Sequence, residues 1–213
     1  MINPLKWKMI NKEYNIIETF MRNPWESLTF KQVKDISKNK SDNYIHRTLK
    51  KFVKENVLKE KRIGNVVLYS INLNVDTLNL IGFVAEHKTK IKSYLPFNGI
   101  QKIIGKIKTS FYIFIVTGSY AKNKQKKGSD MDVVVICDNK ENPERILSQI
   151  RLEAETMIPE IHAYAFTESQ FYEMLINKEE NYGKETVRNA LIITGAKQYY
   201  DILMRAIENG FKG

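Results

Sequence analysis

Apolar residues recur at intervals of three or four positions through the first part of the chain, which is the spacing of amphipathic helices. Residues 7–21 predict a first helix, ended by Asn23-Pro24, with an apolar face formed by Trp7, Ile10, Tyr14, Ile17 and Phe20. Thr29 is suited to cap a short second helix with the sequence FKQVKDIS. A third helix is predicted over about 41–55, after the polar turn KNKSD.

The segment LKEKRIGNVVLYSIN predicts two strands joined by a Gly64-Asn65 turn. Three helices followed by a hairpin resemble a winged helix-turn-helix domain, over about residues 7–73. The resemblance implies that helix 41–55 enters the major groove and that the hairpin is the wing. The candidate nucleic-acid contacts are Asn43, His46, Arg47 and Lys50 on the helix and Lys61 and Arg62 on the wing. Domains of this kind also bind RNA or proteins or are purely structural, and the sequence leaves these alternatives open.

One more helical stripe over 76–95, followed by Pro96-Phe97-Asn98-Gly99, predicts a connecting helix and then a break. We therefore expect a first domain at 1–75, a connecting segment at 76–98 and a second domain at 99–213. In the second domain, the apolar runs FYIFIVT (111–117) and MDVVVI (131–136) predict buried strands, and a third strand is predicted at 160–166. Helices are predicted at 142–157, with Ile146, Ile150 and Leu152 apolar, and at 168–177, 182–193 and 195–209. The expected fold class is α+β, with a small mixed sheet in the second domain.

Charge is distributed unevenly between these predicted domains. The chain of 213 residues has a formal net charge of +10, and residues 1–75 contain 15 Lys and Arg against 7 Asp and Glu. A local basic surplus favours a polyanionic partner, although a lysine-rich solvated surface gives the same count. The single cysteine, Cys137, cannot form an internal disulfide, and no apolar run has the length of a membrane span. We expect a cytoplasmic protein with no membrane partner.

The stretch GSYAKNKQKKGSDMDVVVI, from 118 to 136, interrupts the two buried strands with a glycine turn and two aspartates. Glycine permits a sharp bend and the close approach of a ligand, and a serine hydroxyl with free N–H groups can hold phosphate oxygens. Asp130 and Asp132 are two residues apart, so on a strand they project from the same face. Two such carboxylates repel each other unless a cation lies between them, and magnesium accepts oxygen ligands together with substrate phosphates. This combination is typical of phosphoryl or nucleotidyl transfer.

Gly118-Ser119-Tyr120-Ala121, then Ser129-Asp130-Met131-Asp132 and an apolar strand, resemble the signature of the DNA polymerase beta-type nucleotidyltransferase superfamily. The resemblance covers about residues 99–175 and is closest to the small, minimal members. It implies that Gly118, Ser119, Lys122 and Ser129 contact a nucleoside triphosphate, with ATP the expected one. It also implies that Asp130 and Asp132 bind Mg²⁺, with two ions expected. The other loop lysines, Lys124, Lys126 and Lys127, either assist with phosphate or are solvated loop charges, and many relatives have glycine where Asn123 stands.

Superfamily members usually add a third carboxylate from a neighbouring strand. The only suitable strand is in PEIHAYAFTESQF (159–171), where Glu160, His162, Tyr164 and Phe166 share one face. We predict Glu160 as the third acid and metal ligand. The register of many relatives would place the carboxylate at position 162, where this chain has His162. Histidine is a poorer ligand for magnesium than an oxygen donor, so a substrate-positioning or catalytic role for His162 is the alternative.

The sequence therefore predicts a magnesium-dependent transfer of a nucleoside monophosphate from a nucleoside triphosphate to an acceptor. The acceptor is a nucleic acid or a protein; some members of the superfamily are antitoxins that adenylylate a tyrosine of a partner HEPN toxin, although these usually lack an N-terminal winged helix. The competing hypothesis is a DNA-binding regulator whose nucleotidyltransferase domain senses nucleotide or mediates assembly into an oligomer.

Overall fold

A computed structural model describes residues 13–213, which form two compact units, one ending at Val84 and one running from Ala85 to Phe211. The two units are described separately below. Trp7 and Ile10, which were expected on the first helix, lie outside the described residues. Within 13–213, no helix combines the length and the apolar character that a bilayer span needs.

The first unit contains the predicted helices and hairpin. Its helices are α1 (Tyr14–Met21), α2 (Phe30–Ser37) and α3 (Asp42–Lys54). Thr29 caps α2 as predicted, because its hydroxyl accepts from the Gln32 N–H while the Gln32 side chain accepts from the Thr29 N–H. The Ser41 hydroxyl caps α3 by accepting from the Tyr44 N–H.

A three-stranded antiparallel sheet completes this unit. A two-residue strand, β1 (Leu28–Thr29), pairs with β3 (Val66–Ile71), and β3 pairs with β2 (Leu58–Ile63). Gly64 has a φ of +57° in the predicted turn between β2 and β3, a conformation that glycine adopts without strain. Helices and sheet share one apolar core, formed by Ile16, Ile17, Phe20, Val33, Ile45, Leu49, Phe52, Leu58, Tyr69 and Ile71.

Two helices follow where one helix and a break were predicted. Helix α4 (Val75–Lys90) ends five residues earlier than expected, and α5 (Phe97–Ile104) begins in the segment that was predicted to be irregular. The physical reason is that Pro96 stands at the N-cap of α5, and proline interrupts a helix but is tolerated at a helix start. Ile91, within the predicted helix 76–95, lies outside α4 and is 58% exposed.

The second unit is built on a four-stranded mixed sheet. Its strands are β4 (Tyr112–Val116), β5 (Met131–Cys137), β6 (Ile161–Thr167) and β7 (Leu191–Thr194), in the order β6-β5-β4-β7. A single turn of helix, α6 (Gly118–Ala121), follows β4. Strands β4 and β5 are antiparallel, β5 and β6 are parallel, and β7 is antiparallel to β4.

The remaining helices are α7 (Pro143–Thr156), α8 (Glu168–Ile176), α9 (Tyr182–Arg188) and α10 (Ala196–Glu208). The prediction of one helix over 182–193 is wrong in its second half, because α9 ends at Arg188 and Leu191–Thr194 is a strand. Two isoleucines and a threonine favour extended backbone when a partner strand is available, and β4 offers its free edge. Gly195, at a φ of +79°, then allows the chain to turn into α10.

Helices cover both faces of the second sheet. Val133, Val135 and Cys137 of β5 point into a core shared with α5 and α7, where Ile100, Ile103, Ile146 and Ile150 are buried. The opposite face, with Ile113, Ile115, Val134 and Ile136 buried, packs near α8 and α10. Leu152, grouped by the sequence with Ile146 and Ile150 as apolar positions of α7, is 72% exposed, whereas the two isoleucines are buried. Strand β6 is the edge of the sheet, and its alternate residues His162 and Tyr164 are exposed on the face that also carries Asp132.

Candidate active site

The site begins where β4 passes into α6. The Thr117 N–H donates to the Asp132 carbonyl at 2.9 Å, which holds the end of β4 against the start of β5. Gly118 follows with a φ of +66°, and a Cβ at this position would collide with Oδ2 of Asp132. Only glycine therefore allows the turn and the carboxylate to occupy neighbouring space.

The two aspartates stand in different surroundings. Asp130 precedes β5 and is exposed, whereas Asp132 is the second residue of the strand and is half-buried. Burial raises the pKa of Asp132, the His162 ring opposes that shift, and the charges of Asp130 and Glu185 add to it. A carboxylate that is crowded by other negative charges gains from a cation placed beside it.

His162 is brought to this pair by the register of the parallel strands. His162 is the ladder partner of Asp132 in the β5–β6 pairing, and its Nε2 lies 3.6 Å from Oδ2 of Asp130. The side chains of His162 and Asp130 are 51% and 45% exposed, so the contact is open to solvent. A ligand can therefore reach the imidazole and the carboxylate together.

Glu160 lies directly before β6. Its carbonyl accepts from the Met131 N–H at 2.9 Å, and the residue is exposed. Among residues 13–213, no three His, Cys, Asp or Glu side chains are grouped so that they could hold a metal ion. The structure brings His162 to Asp130, and the role of Glu160 as third acid and metal ligand stays a prediction.

The loop between α6 and β5 is closed by its own backbone. The Lys126 N–H donates to Oγ of Ser129 at 2.9 Å, and the Ser129 N–H donates to the Lys126 carbonyl at 3.0 Å. Asn123 has a φ of +52°, a left-handed conformation that glycine and asparagine adopt more readily than other residues. Ser119 is half-buried, and the exposed loop cations are Lys122, Lys124, Lys126 and Lys127. The Ser129 oxygen thus takes part in loop closure, and the four lysines are exposed.

Sequence reasoning missed two residues of α9 that lie beside this site. The Tyr182 ring is 4.6 Å from the Tyr164 ring, and Glu185 stands close enough to Asp132 to raise its pKa. Burial first, and then the Asp132 charge, raise the pKa of Tyr182 itself. No local pattern could indicate these positions, because α9 reaches the site only through the packing of the whole second unit.

The predicted nucleic-acid contacts are all in the first unit and all exposed: Asn43, His46, Arg47 and Lys50 on α3, and Lys61 and Arg62 on β2. The His46 ring stacks on Phe30 of α2, with the ring centroids 4.0 Å apart and the planes 14° from parallel. His46 is therefore partly engaged within the unit, while the other five side chains point to solvent.

Residues 100–197 match the family model described as "Nucleotidyltransferase domain". The chain thus contains a nucleotidyltransferase domain, which confirms that part of the resemblance found in the sequence. A solved structure described as "Crystal structure of the toxin-antitoxin with AMP-PNP" is similar to 54% of this chain and 84% of its own, at 15% identity and a TM-score of 0.38. Comparison with curated proteins gives no match.

Proposed function

We propose that this protein is a nucleotidyltransferase that moves a nucleoside monophosphate from a nucleoside triphosphate, ATP in the first instance, to an acceptor. The observation that carries the proposal is the placement of the Asp132 carboxylate against the Gly118 turn, with Asp130 beside it, inside a nucleotidyltransferase domain. In this arrangement, Gly118, Ser119 and the exposed Lys122 bind the phosphates. The two aspartates direct the acceptor group to the phosphate next to the sugar; as the acceptor bonds to that phosphorus, its bond to the second phosphate breaks and pyrophosphate leaves.

The donor set fits a divalent ion. Asp130 and Asp132 offer carboxylate oxygens of the kind Mg²⁺ prefers, and magnesium is commonly held by one or two carboxylates together with substrate phosphates. A second ion would need a further carboxylate, for which Glu160 is the predicted residue. A bound Mg²⁺ would neutralise phosphate charge during the transfer.

We also propose that the first unit is a winged helix that binds nucleic acid or the acceptor. The support is its three helices, the hairpin β2–β3, and the exposed cations on α3 and β2. In this role α3 is the recognition helix and the Gly64-Asn65 turn is the tip of the wing.

The test of the transfer is incubation with labelled nucleoside triphosphates, Mg²⁺ and cell extract. We expect a labelled product with the wild type and almost none with Asp130→Asn or Asp132→Asn, whereas Asp35→Asn on exposed α2 should leave the labelling unchanged. Equal labelling by the wild type and the double variant Asp130→Asn/Asp132→Asn contradicts the proposal.

Loss of labelling in Asp132→Asn is not expected to reflect unfolding. The pKa of Asp132 is raised in the folded state, so the folded protein binds a proton there more readily than the unfolded chain. Stability therefore falls as the pH rises through the window above the ordinary aspartate pKa. Replacing the charge by an amide should raise the thermal midpoint at pH 7 in the presence of a chelator, and this gain should shrink at low pH.

A second candidate function is a nucleotide-sensing DNA-binding regulator without transfer activity. The observation that favours it is the histidine at the place where a third carboxylate would complete the site. A regulator of this kind binds nucleotide and changes its affinity for DNA, but it labels no acceptor. Nucleotide binding with no labelled product at any Mg²⁺ concentration would select this function.

A further inference from the structure

The hydroxyl of Tyr182 is a buried polar group without a hydrogen-bond partner among residues 13–213. Its oxygen is inaccessible to solvent, and no atom of residues 13–213 forms a hydrogen bond with it. Burying a hydroxyl without a partner opposes folding, so such a group in a native structure calls for an explanation. Buried polar groups without partners are expected mainly at functional sites.

The position of Tyr182 is fixed by its neighbours. The amide of Asn181 donates to the Met174 carbonyl at 2.7 Å, and the Asn181 side chain also caps α9 through the Lys184 N–H. Gly183 lies so close to Met174 that a Cβ would stand 2.7 Å from the Met174 Cβ. The start of α9 is thus held tightly on α8, and Tyr182 cannot easily move to find another partner.

The ring of Tyr182 lies over the side of β6 that carries the candidate site. It is 4.6 Å from the Tyr164 ring and 6.4 Å from the Phe166 ring, measured between centroids. Tyr164 is the ladder partner of Val134, one step of the same face from the pairing of Asp132 with His162. Tyr182 therefore lies on the same face of the sheet as the half-buried Asp132.

Asp132 offers an acceptor on this face. Its carboxylate is half-buried, and Oδ2 faces Gly118. The charge of Asp132 contributes to the raised pKa of Tyr182, which supports their proximity. A buried donor without a partner and a half-buried carboxylate thus lie on the same face of the sheet.

We propose that Tyr182 is a positioning residue for Asp132: when a divalent ion and nucleotide occupy the site, Asp132 rotates away from Gly118 and accepts a hydrogen bond from the Tyr182 hydroxyl. A bond from a neutral donor to an ionised acceptor is among the stronger hydrogen bonds in proteins. It holds one carboxylate oxygen and so leaves the other in a fixed direction toward the ion. This inference rests on the part of the proposed function in which Asp132 holds a divalent ion with nucleotide, and it does not require transfer.

The test measures the affinity of the full chain for Mn²⁺ by electron paramagnetic resonance, in the presence of a non-hydrolysable ATP analogue. Tyr182→Phe removes only the hydroxyl, and we expect it to weaken Mn²⁺ binding about tenfold or more. Tyr172→Phe on α8 is the matched control and should bind Mn²⁺ as the wild type does. Because the hydroxyl has no partner in the fold, Tyr182→Phe should not lower the thermal midpoint of the metal-free protein.

A double-mutant cycle with Asp132→Asn separates positioning from packing. If Tyr182 acts through Asp132, the loss caused by Tyr182→Phe disappears in the Asp132→Asn background. The inference is overturned if Tyr182→Phe binds Mn²⁺ with wild-type affinity. It is also overturned if Tyr182→Phe lowers the affinity equally in both backgrounds and lowers the thermal midpoint. A wild type that binds Mn²⁺ and nucleotide with this coupling but labels no acceptor would refute the transfer and leave the role of Tyr182 standing.

Discussion

At the scale of single residues, the candidate site depends on the close contact between Gly118 and the Asp132 carboxylate. Gly118 needs its left-handed conformation to leave β4, and the Asp132 carboxylate occupies the space beside it. The same carboxylate is deprived of solvent by burial, which raises its pKa. Sequence position 118 is thus constrained by backbone conformation, by space and by charge.

Gly118→Ala should therefore damage both the fold and the site. A methyl group here meets the Asp132 carboxylate and also suffers the unfavourable φ, so we expect a loss of about 2–4 kcal/mol in the free energy of unfolding. Gly128→Ala separates the two effects, because Gly128 has a φ of +84° but nothing within 4 Å of an added Cβ. Urea unfolding should show a loss of only about 1 kcal/mol for Gly128→Ala. Equal losses in the two variants would show that Asp132 is not in the way.

His162→Asp tests whether the histidine lowers the affinity for magnesium. An aspartate opposite Asp132 supplies an oxygen ligand but adds a third negative charge to the site. We expect the Mg²⁺ concentration for half-maximal labelling to fall several-fold, and the metal-free protein to unfold at a lower temperature than the wild type. The control is His46→Asp on α3, which loses its stack on Phe30 but should leave the Mg²⁺ concentration for half-maximal labelling unchanged. An active wild type combined with an inactive His162→Asp protein would instead assign the imidazole a direct role in the reaction.

At the scale of elements, the sequence predicts a helix or a hairpin correctly where the segment contains its own capping or turn residues. The capping pair Thr29–Gln32 and the Gly64-Asn65 turn lie where the sequence predicts them. Leu191–Thr194 was misassigned because the choice between helix and strand is made by the free edge of β4, which lies about 75 residues earlier in the chain. Tyr182 was missed for the same reason, since only tertiary packing brings α9 to Asp132.

The cap of α2 gives a stability test of the first unit. Thr29→Ala removes the hydroxyl that accepts from the Gln32 N–H, so the free energy of unfolding should fall by about 1 kcal/mol. Thr29→Ser keeps the acceptor and should restore most of the loss. Thr156→Ala is the control, because the exposed Thr156 hydroxyl donates to the Leu152 carbonyl near the end of α7. Chemical denaturation monitored by circular dichroism would measure all three variants, and no loss in Thr29→Ala would contradict the capping role.

At the scale of the whole molecule, the basic surplus of residues 1–75 contrasts with a nearly balanced remainder of the chain, which has 19 Lys and Arg against 17 Asp and Glu. Net charge acts over distances of the order of 10 Å at moderate salt, so it steers a polyanion toward the part of the surface where the surplus lies. The candidate site is in the other part, where its carboxylates need a cation. The two halves of the chain are thus suited to ligands of different chemistry.

Replacing Arg47, Lys50 and Arg62 together by alanine should weaken the binding of the full chain to duplex DNA or RNA. Each lost phosphate contact should reduce the steepness of the salt dependence by about 0.9 in the logarithmic plot. The matched control replaces three exposed cations of the second unit, Lys102, Lys108 and Lys178, and removes the same net charge. Fluorescence anisotropy over a salt series would measure both. Equal weakening by the two triple variants would mean that charge acts without a defined contact surface.

The chain order of the site has a consequence for synthesis on the ribosome. Strand β4, α6 and β5 are consecutive, so Gly118, Asp130 and Asp132 meet within a single hairpin, whereas β6 must first cross over through α7. Tyr182 emerges about 50 residues after Asp132, which at ordinary translation speeds is a delay of several seconds. A nascent chain therefore displays its two aspartates before the side chains that accompany them exist. Premature termination ahead of α9 would release a protein that carries the carboxylates but lacks the tyrosine and glutamate that surround Asp132.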